Sequence, residues 1–427
     1  MNRSILRHVL PMMSIRPSDV LLCTFLLVLA APGTGQSTYR MDAAQLLQQG
    51  DIELRLGNSE RALQHYTNAI QTDPGYGDAY MKRASLYQRL GMYTGALQDM
   101  DRALELNPYS EHILDRRARL KVLMTDYKGA EEDRDRAVSL APYDSLMMEH
   151  RADEQLLMQE PHRAIRSLSV MLGRTPNDPW LHLKKALAHL QAEQPVEALD
   201  EAAVALTLDS TLAIAHDLRG LAYERLGRPE EAFIAFDRAV GLDPGFAMAW
   251  FNRGRAHRAA GRAAAAEADL DTALALVTDL PQLWFERALA RKELGDMEGA
   301  LQDQSRVIGL SPGTMEALFN RSFARKQLGD HVGALYDAEQ AIALRPEDAD
   351  AWDLKGSIHL LLGEHNEAIA HYDRAIQLDP NAAQPHYNKG IALVMAYQIY
   401  EGCRELQRSQ ELGAAKATEA IRYFCAF

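Results

Sequence analysis

The 427-residue chain has little cysteine: only Cys23, Cys403 and Cys425. That scarcity excludes a scaffold built mainly from disulfides and a cysteine-rich zinc array. Positive charge is not in excess either. Forty-six Lys and Arg face 59 Asp and Glu, a formal net charge of -13. An acidic chain lacks the basic face that nucleic-acid phosphates require, so no nucleic-acid partner is expected. No HExxH, CxxC or P-loop occurs. Zinc-peptidase, dithiol and phosphate-loop chemistry therefore have no motif to carry them. The histidine pairs His182/His189 and His359/His365 have no cysteine or carboxylate companions at metal-ligand spacing. No metal, cofactor or catalytic residue is expected, and the chain reads as a non-enzyme. The longest apolar run, Val20 to Ala31, is short for a membrane-spanning helix.

What the sequence does have is a period. Pro74, Pro108, Pro142, Pro176, Pro244, Pro312, Pro346 and Pro380 lie on one 34-residue lattice. Ala62, Ala96, Ala130 and their successors to Ala368 keep the same spacing without a miss. A third series admits only small residues, from Gly50 and Ala84 through Gly356 to Gly390. Around these markers, two runs with apolar residues three and four apart are separated by a glycine and closed by the proline. Each run predicts a helix, the glycine ends the first, and the proline stops the second. In the stretch Asp350 to Asn381 the helices are expected over Ala351–Leu362 and Asn366–Leu378. Small residues let two antiparallel helices approach closely. One such pair cannot bury its own apolar face, so the repeats must stack.

This pattern resembles the tetratricopeptide repeat family over Ala43 to about Lys416, as ten repeats and a degenerate eleventh. The resemblance implies an all-α, right-handed α-solenoid superhelix of helix-turn-helix repeats with a concave groove. Members of the family mostly bind other proteins. Repeats are expected to start at 43, 77, 111, 145, 179, 213, 247, 281, 315, 349 and 383, with a capping helix over 417–427. Repeats three to five are worn. Thr125, Gln159 and Glu193 stand where repeats one, two and six to ten carry the turn glycine.

Residues 1–36 lie outside the period. Arg3, Arg7 and Arg16 precede the apolar run, and Pro32 to Gly35 follow it, the arrangement of a secretory signal peptide. Residues 37–42 read as a linker. The chain is therefore expected to be exported to a periplasm or the exterior, a bacterial periplasm above all, and not to insert into a membrane once the signal is cleaved. An uncleaved anchor is the other reading of the same leader. In an oxidising compartment Cys403 and Cys425 could bridge the last repeat to the cap, or remain two buried thiols.

Two basic and acidic series run along the lattice. Arg83, Arg117, Lys185, Arg253, Arg287, Arg321 and Lys389 each precede a carboxylate by sixteen residues. This matching predicts exposed ion pairs between the two helices of a repeat rather than an anion site. What remains for function is the groove. The family lines it with the second, fifth, sixth, ninth and twelfth residues of each first helix. Carried over, that gives Phe251, Phe285, Phe319 and Tyr387 as an aromatic ladder, with Asn252, Asn320 and Asn388 beside it. Arg255, Arg258, Lys292 and Lys326 supply charge. Rings and amides in this order suit an extended or helical peptide, although the same rings could instead be core. The family's clamp for a C-terminal carboxylate is absent, since Asp217 and Leu221, then Phe285 and Leu289, occupy its positions. The expected function is a scaffold that holds a protein or peptide in the groove. The alternative is a structural subunit of a cell-envelope or secretion-type assembly that uses the convex face.

Overall fold

A computed structural model describes residues 36–425. Among them are 23 α-helices and no strand. The helices come in pairs, one pair to a repeat, and end with a single helix, Ala415–Phe424. In the tenth repeat the pair is Ala349–Leu361 and His365–Leu378. Asp348 caps the first helix by accepting from the Ala351 amide at 3.0 Å. Gly363, at φ +79°, turns the chain between the two.

The small-residue series has a steric cause. A Cβ on Gly356 would stand 2.7 Å from the Tyr372 ring, and one on Gly50 would stand 2.5 Å from the Tyr66 ring. Both tyrosines are fully buried. In the second repeat Ala84 and Met100 share a buried cluster with Ala96 and Leu120. A large side chain sixteen residues later thus fills the space that the small one leaves. The alanine ruler is equally buried, with Ala62, Ala96, Ala334 and Ala368 at 0% exposure.

Chain contacts divide the molecule into two compact bodies, one ending at Arg228 and one beginning at Pro229. The boundary falls inside the sixth repeat, between the helices Ala213–Arg225 and Pro229–Leu242. An unbroken period gives no sign of such a division. Two further expectations need correction. Residues 37–42 are not a linker, because the first helix runs Gln36–Arg55. Apart from Gln36, the expected leader lies outside the described residues. The ion pairs between paired helices are not exposed either. Arg83 grips Asp99 with bonds of 2.8 and 2.7 Å, and Arg321 grips Asp337 with the same pair of lengths. The Asp99 and Asp337 side chains are only 7% and 0% exposed. The carboxylate sits in the narrow space between helices, so the pair is a structural strut and not a surface ornament.

The worn repeats keep the lattice by other means. Thr125, Gln159 and Glu193 hold φ at 64°, 61° and 57°, the left-handed turn that glycine adopts elsewhere. Arg134 stands sixteen residues after Ala118, where Tyr66, Met100 and Tyr372 stand in other repeats. Its side chain is 0% exposed. It binds Asp115, and it donates to Glu154 at 3.1 and 2.7 Å. His150 contacts Asp115 at 2.9 Å. Burial, then the nearby Arg119 and Arg134 charges, push that imidazole down to about 4, so it is neutral and donates. Lys184, also 0% exposed, reaches Glu149 and Asp153 at 2.7 Å each. Buried ion pairs are set here among buried apolar residues such as Leu114, Leu120, Leu156 and Leu168.

Candidate functional site

The successive first helices of the second body are Ala247–Ala259, Pro281–Leu294, Met315–Gln327, Ala349–Leu361 and Ala383–Met395. Their inner residues form the candidate site. The aromatic ladder expected on it is only partly there. Phe251 is 3% exposed and belongs to the core, with the Arg255 guanidinium 5.6 Å above its ring. Asn252 is buried beside it at 4% exposure. Phe319 is half-buried against two clusters, one of Met315, Leu318 and Ala351, the other of Ala334, Ala338 and Leu354. Phe285, Tyr387, Asn320 and Asn388 are half-buried. The fifth position of these helices tends inward because each first helix lies against the next, and a ring there fills the gap between neighbours.

Polar side chains tie one repeat to the next. Arg258 donates to Glu286 at 3.0 Å and to Glu293 at 3.1 Å. Lys292 Nζ lies 3.3 Å from Asn320 Oδ1, and Asn320 Nδ2 donates to the Glu316 carbonyl at 2.9 Å. Asn388 Nδ2 donates to both Asp353 oxygens, at 2.8 and 3.0 Å. Burial pushes the Asp353 carboxyl up to about 6, although the Asn388 bond and the Lys326 charge oppose the shift.

Two cations stand apart. Lys292 Nζ lies 4.4 Å and Lys326 Nζ 5.2 Å from the centroid of the Phe323 ring. Both amines are held below the usual lysine range, first by burial; Lys292 adds repulsion at Lys326, partly offset by Asp353. On the same helices Arg253, Arg258, Arg287, Arg321, Lys355 and Lys389 all pair with carboxylates. Among the described residues Lys292 and Lys326 form no such pair. Two half-buried ammonium groups over one ring make a positive, partly desolvated patch with an apolar floor. Chemically, the patch can hold an anionic side chain or terminus against an aromatic face.

The sequence reading selected both lysines but not Phe323, which lies four residues beyond Phe319 on one helix face. Basic residues at the twelfth position in three consecutive repeats, Arg258, Lys292 and Lys326, were the available signal. The histidines singled out in sequence serve other ends. His182 contacts Glu201 at 2.6 Å, His189 contacts Gln194 at 2.8 Å, and His359 contacts Glu364 at 2.6 Å. Cys403 and Cys425 are joined in a disulfide, with Cα atoms 5.7 Å apart, which ties the eleventh repeat to the last helix. No helix among the described residues is long and apolar enough to cross a membrane.

Comparison with known proteins follows the same lattice. A family model for the tetratricopeptide repeat matches residues 47–111 and 251–314, and a second matches 213–256. A model for the TPR repeat matches 356–395. No curated protein matches in sequence. Similar solved structures include Cut9-Hcn1 of an APC/C hetero-tetramer, 13% identical with a TM-score of 0.48, covering 89% of this chain and 96% of that one. YrrB, titled a TPR protein with an unusual peptide-binding site, is 20% identical with a TM-score of 0.41, over 43% of this chain and 95% of that one. Yeast Tom70 is 16% identical with a TM-score of 0.38, over 92% of this chain and 96% of that one.

Proposed function

The chain belongs to the tetratricopeptide-repeat family, and on that footing we propose that it is a non-catalytic scaffold that binds an acidic segment of a partner protein. The segment lies along the first helices of the second body. The observation that carries this reading is the pair Lys292 and Lys326, set over Phe323 without a carboxylate of their own. A cation left unpaired in a partly desolvated position costs stability, and an arriving Asp or Glu removes that cost. The ring offers apolar contact to the segment's methylenes. Asn320, whose amide donates to the Glu316 carbonyl, accepts from Lys292 at the edge of the patch.

The same reading takes the protein as exported, a bacterial periplasm above all. It is supported by the basic and apolar leader and by the Cys403–Cys425 bond, since disulfides persist mainly in oxidising compartments.

A short fluorescent glutamate-rich peptide tests the binding. It should bind the purified protein with an affinity that falls as salt rises. Lys292→Glu with Lys326→Glu should weaken it at least about tenfold while the far-ultraviolet circular dichroism stays unchanged. Equal binding by the double variant, or by a glutamine-rich peptide, would overturn the assignment.

A further inference from the structure

The first body departs from the lattice at two arginines with no carboxylate sixteen residues on: Arg219, whose counterpart is Ala235, and Arg151. In the second, third, seventh, eighth and ninth repeats the arginine of the first helix is clamped by an aspartate sixteen residues on. Arg117 and Asp133 are joined by bonds of 2.7 and 2.6 Å, and Arg253 and Asp269 by 2.8 and 2.7 Å. In the fourth repeat the arginine is Arg151 and its counterpart is Ser167. Arg151 Nη2 lies 3.4 Å from Ser167 Oγ, and Nη1 lies 3.7 Å from Asp135. The Nε–H is buried with no acceptor.

The second cation of the clamp has gone as well. Lys121, Arg291 and Arg325 support their aspartates at 2.8, 2.9 and 2.9 Å. The corresponding residue here is Gln155, which accepts from the Ser167 hydroxyl at 2.9 Å. Gln155 and Ser167 are 5% and 4% exposed. One acid and one base have been replaced by neutral groups, and one base has been kept.

Beside Arg151 opens a cleft of about 500 Å³, a volume ordinary for a small-molecule site. Arg163 and Arg166 stand on its wall with Asp135, so its lining carries three guanidinium groups and one carboxylate. Arg163 is already engaged by Glu131 and Glu160, whereas Arg166 is exposed. Val138, Pro142 and Val170 give the cleft an apolar side.

We infer that this cleft binds a small aliphatic carboxylic acid. The ligand's carboxylate bridges Arg151 and Arg166, supplying from solution the acid that the other repeats carry in the chain. Its hydrocarbon body lies against Val138, Pro142 and Val170. A guanidinium fork held no closer than 3.4 Å by Ser167 and 3.7 Å by Asp135 favours a planar carboxylate, which it can bind through two N–H groups.

Glutarate is the probe, with glutaramide and equal ionic strength of sodium chloride as controls. Calorimetric titration of the purified full chain should show saturable glutarate binding and none with glutaramide. Ser167→Asp places the missing carboxylate back in the chain and should abolish binding, while Arg166→Gln, at an exposed position, should weaken it by roughly tenfold. Inorganic phosphate should bind more weakly than glutarate, because it has no body for the apolar side. Binding that survives Ser167→Asp in a folded variant, is unaffected by Arg166→Gln, or is matched by phosphate or chloride would overturn the inference. So would the absence of any glutarate binding to the unmodified protein.

Discussion

Tyr397 shows how a single position can be read against the lattice. It occupies the turn that Gly363 occupies one repeat earlier, at φ 62° and 92% exposed. A bulky residue in the left-handed region is strained by roughly 1–2 kcal/mol, and an exposed ring gains no packing in return. Tyr397→Gly relieves that strain but gives the unfolded chain more freedom, which offsets part of the gain. The net expectation is a stabilisation of roughly 0.5–1 kcal/mol, read from the urea midpoint at unchanged slope. A loss of stability would mean that the ring makes a contact worth more than the strain. That the position is a turn was legible from spacing alone, and so were the turns at Thr125, Gln159 and Glu193. Exposure was not, because it depends on neighbours that spacing does not describe.

Between elements, charge does more work than the sequence suggested. The sixteen-residue matching of arginine and aspartate predicted pairing correctly but placed it on the surface. Arg134 was not singled out at all, although it occupies a lattice point that is apolar in other repeats. It lies among the helices Glu111–Leu123, Tyr127–Leu140 and Ser145–Leu157 and bridges Asp115 to Glu154. Burial raises the Glu154 pKa, and the Arg134 bond holds its charge in place. Arg134→Met should therefore cost about 3–5 kcal/mol, because it leaves buried carboxylate uncompensated. Arg134→Leu with Glu154→Leu should recover most of that loss. Guanidinium denaturation of both variants decides it, and a single-variant loss below about 1 kcal/mol would mean that the helices relax to admit water. The same contrast separates the groove residues. Lys292 and Lys326 were selected by position and stand together over one ring. Phe251 was selected by the same rule and lies in the core.

At the scale of the whole molecule, repeats are stabilised by their neighbours, so a terminal repeat has half the support of a central one. The disulfide closes a sequence separation of 22 residues at that end. A loop of this size corresponds to about 3 kcal/mol of constraint on the unfolded chain. Reduction should leave the fold intact and make the segment after Gly413 the first site of proteolysis. Intact mass spectrometry on protein from its native cells tests the reading of export together with the bond. The expected species begins near Gln36 and lacks the two thiol hydrogens. A full-length chain with free thiols would remove both supports for export.

The sequence by itself determined the period, the helix pairs and the positions of the turns. These follow from local rules, namely which residues end a helix, which are small enough to cross, and how often apolar residues recur. Tertiary structure decided which side of each helix faces water. It also decided where the chain divides into two bodies and which lysines remain without a carboxylate. Those features depend on distances between residues about 16 to 35 apart in sequence, set by how each helix lies on the next. A lattice repeats the opportunity for such a contact without saying whether it is taken.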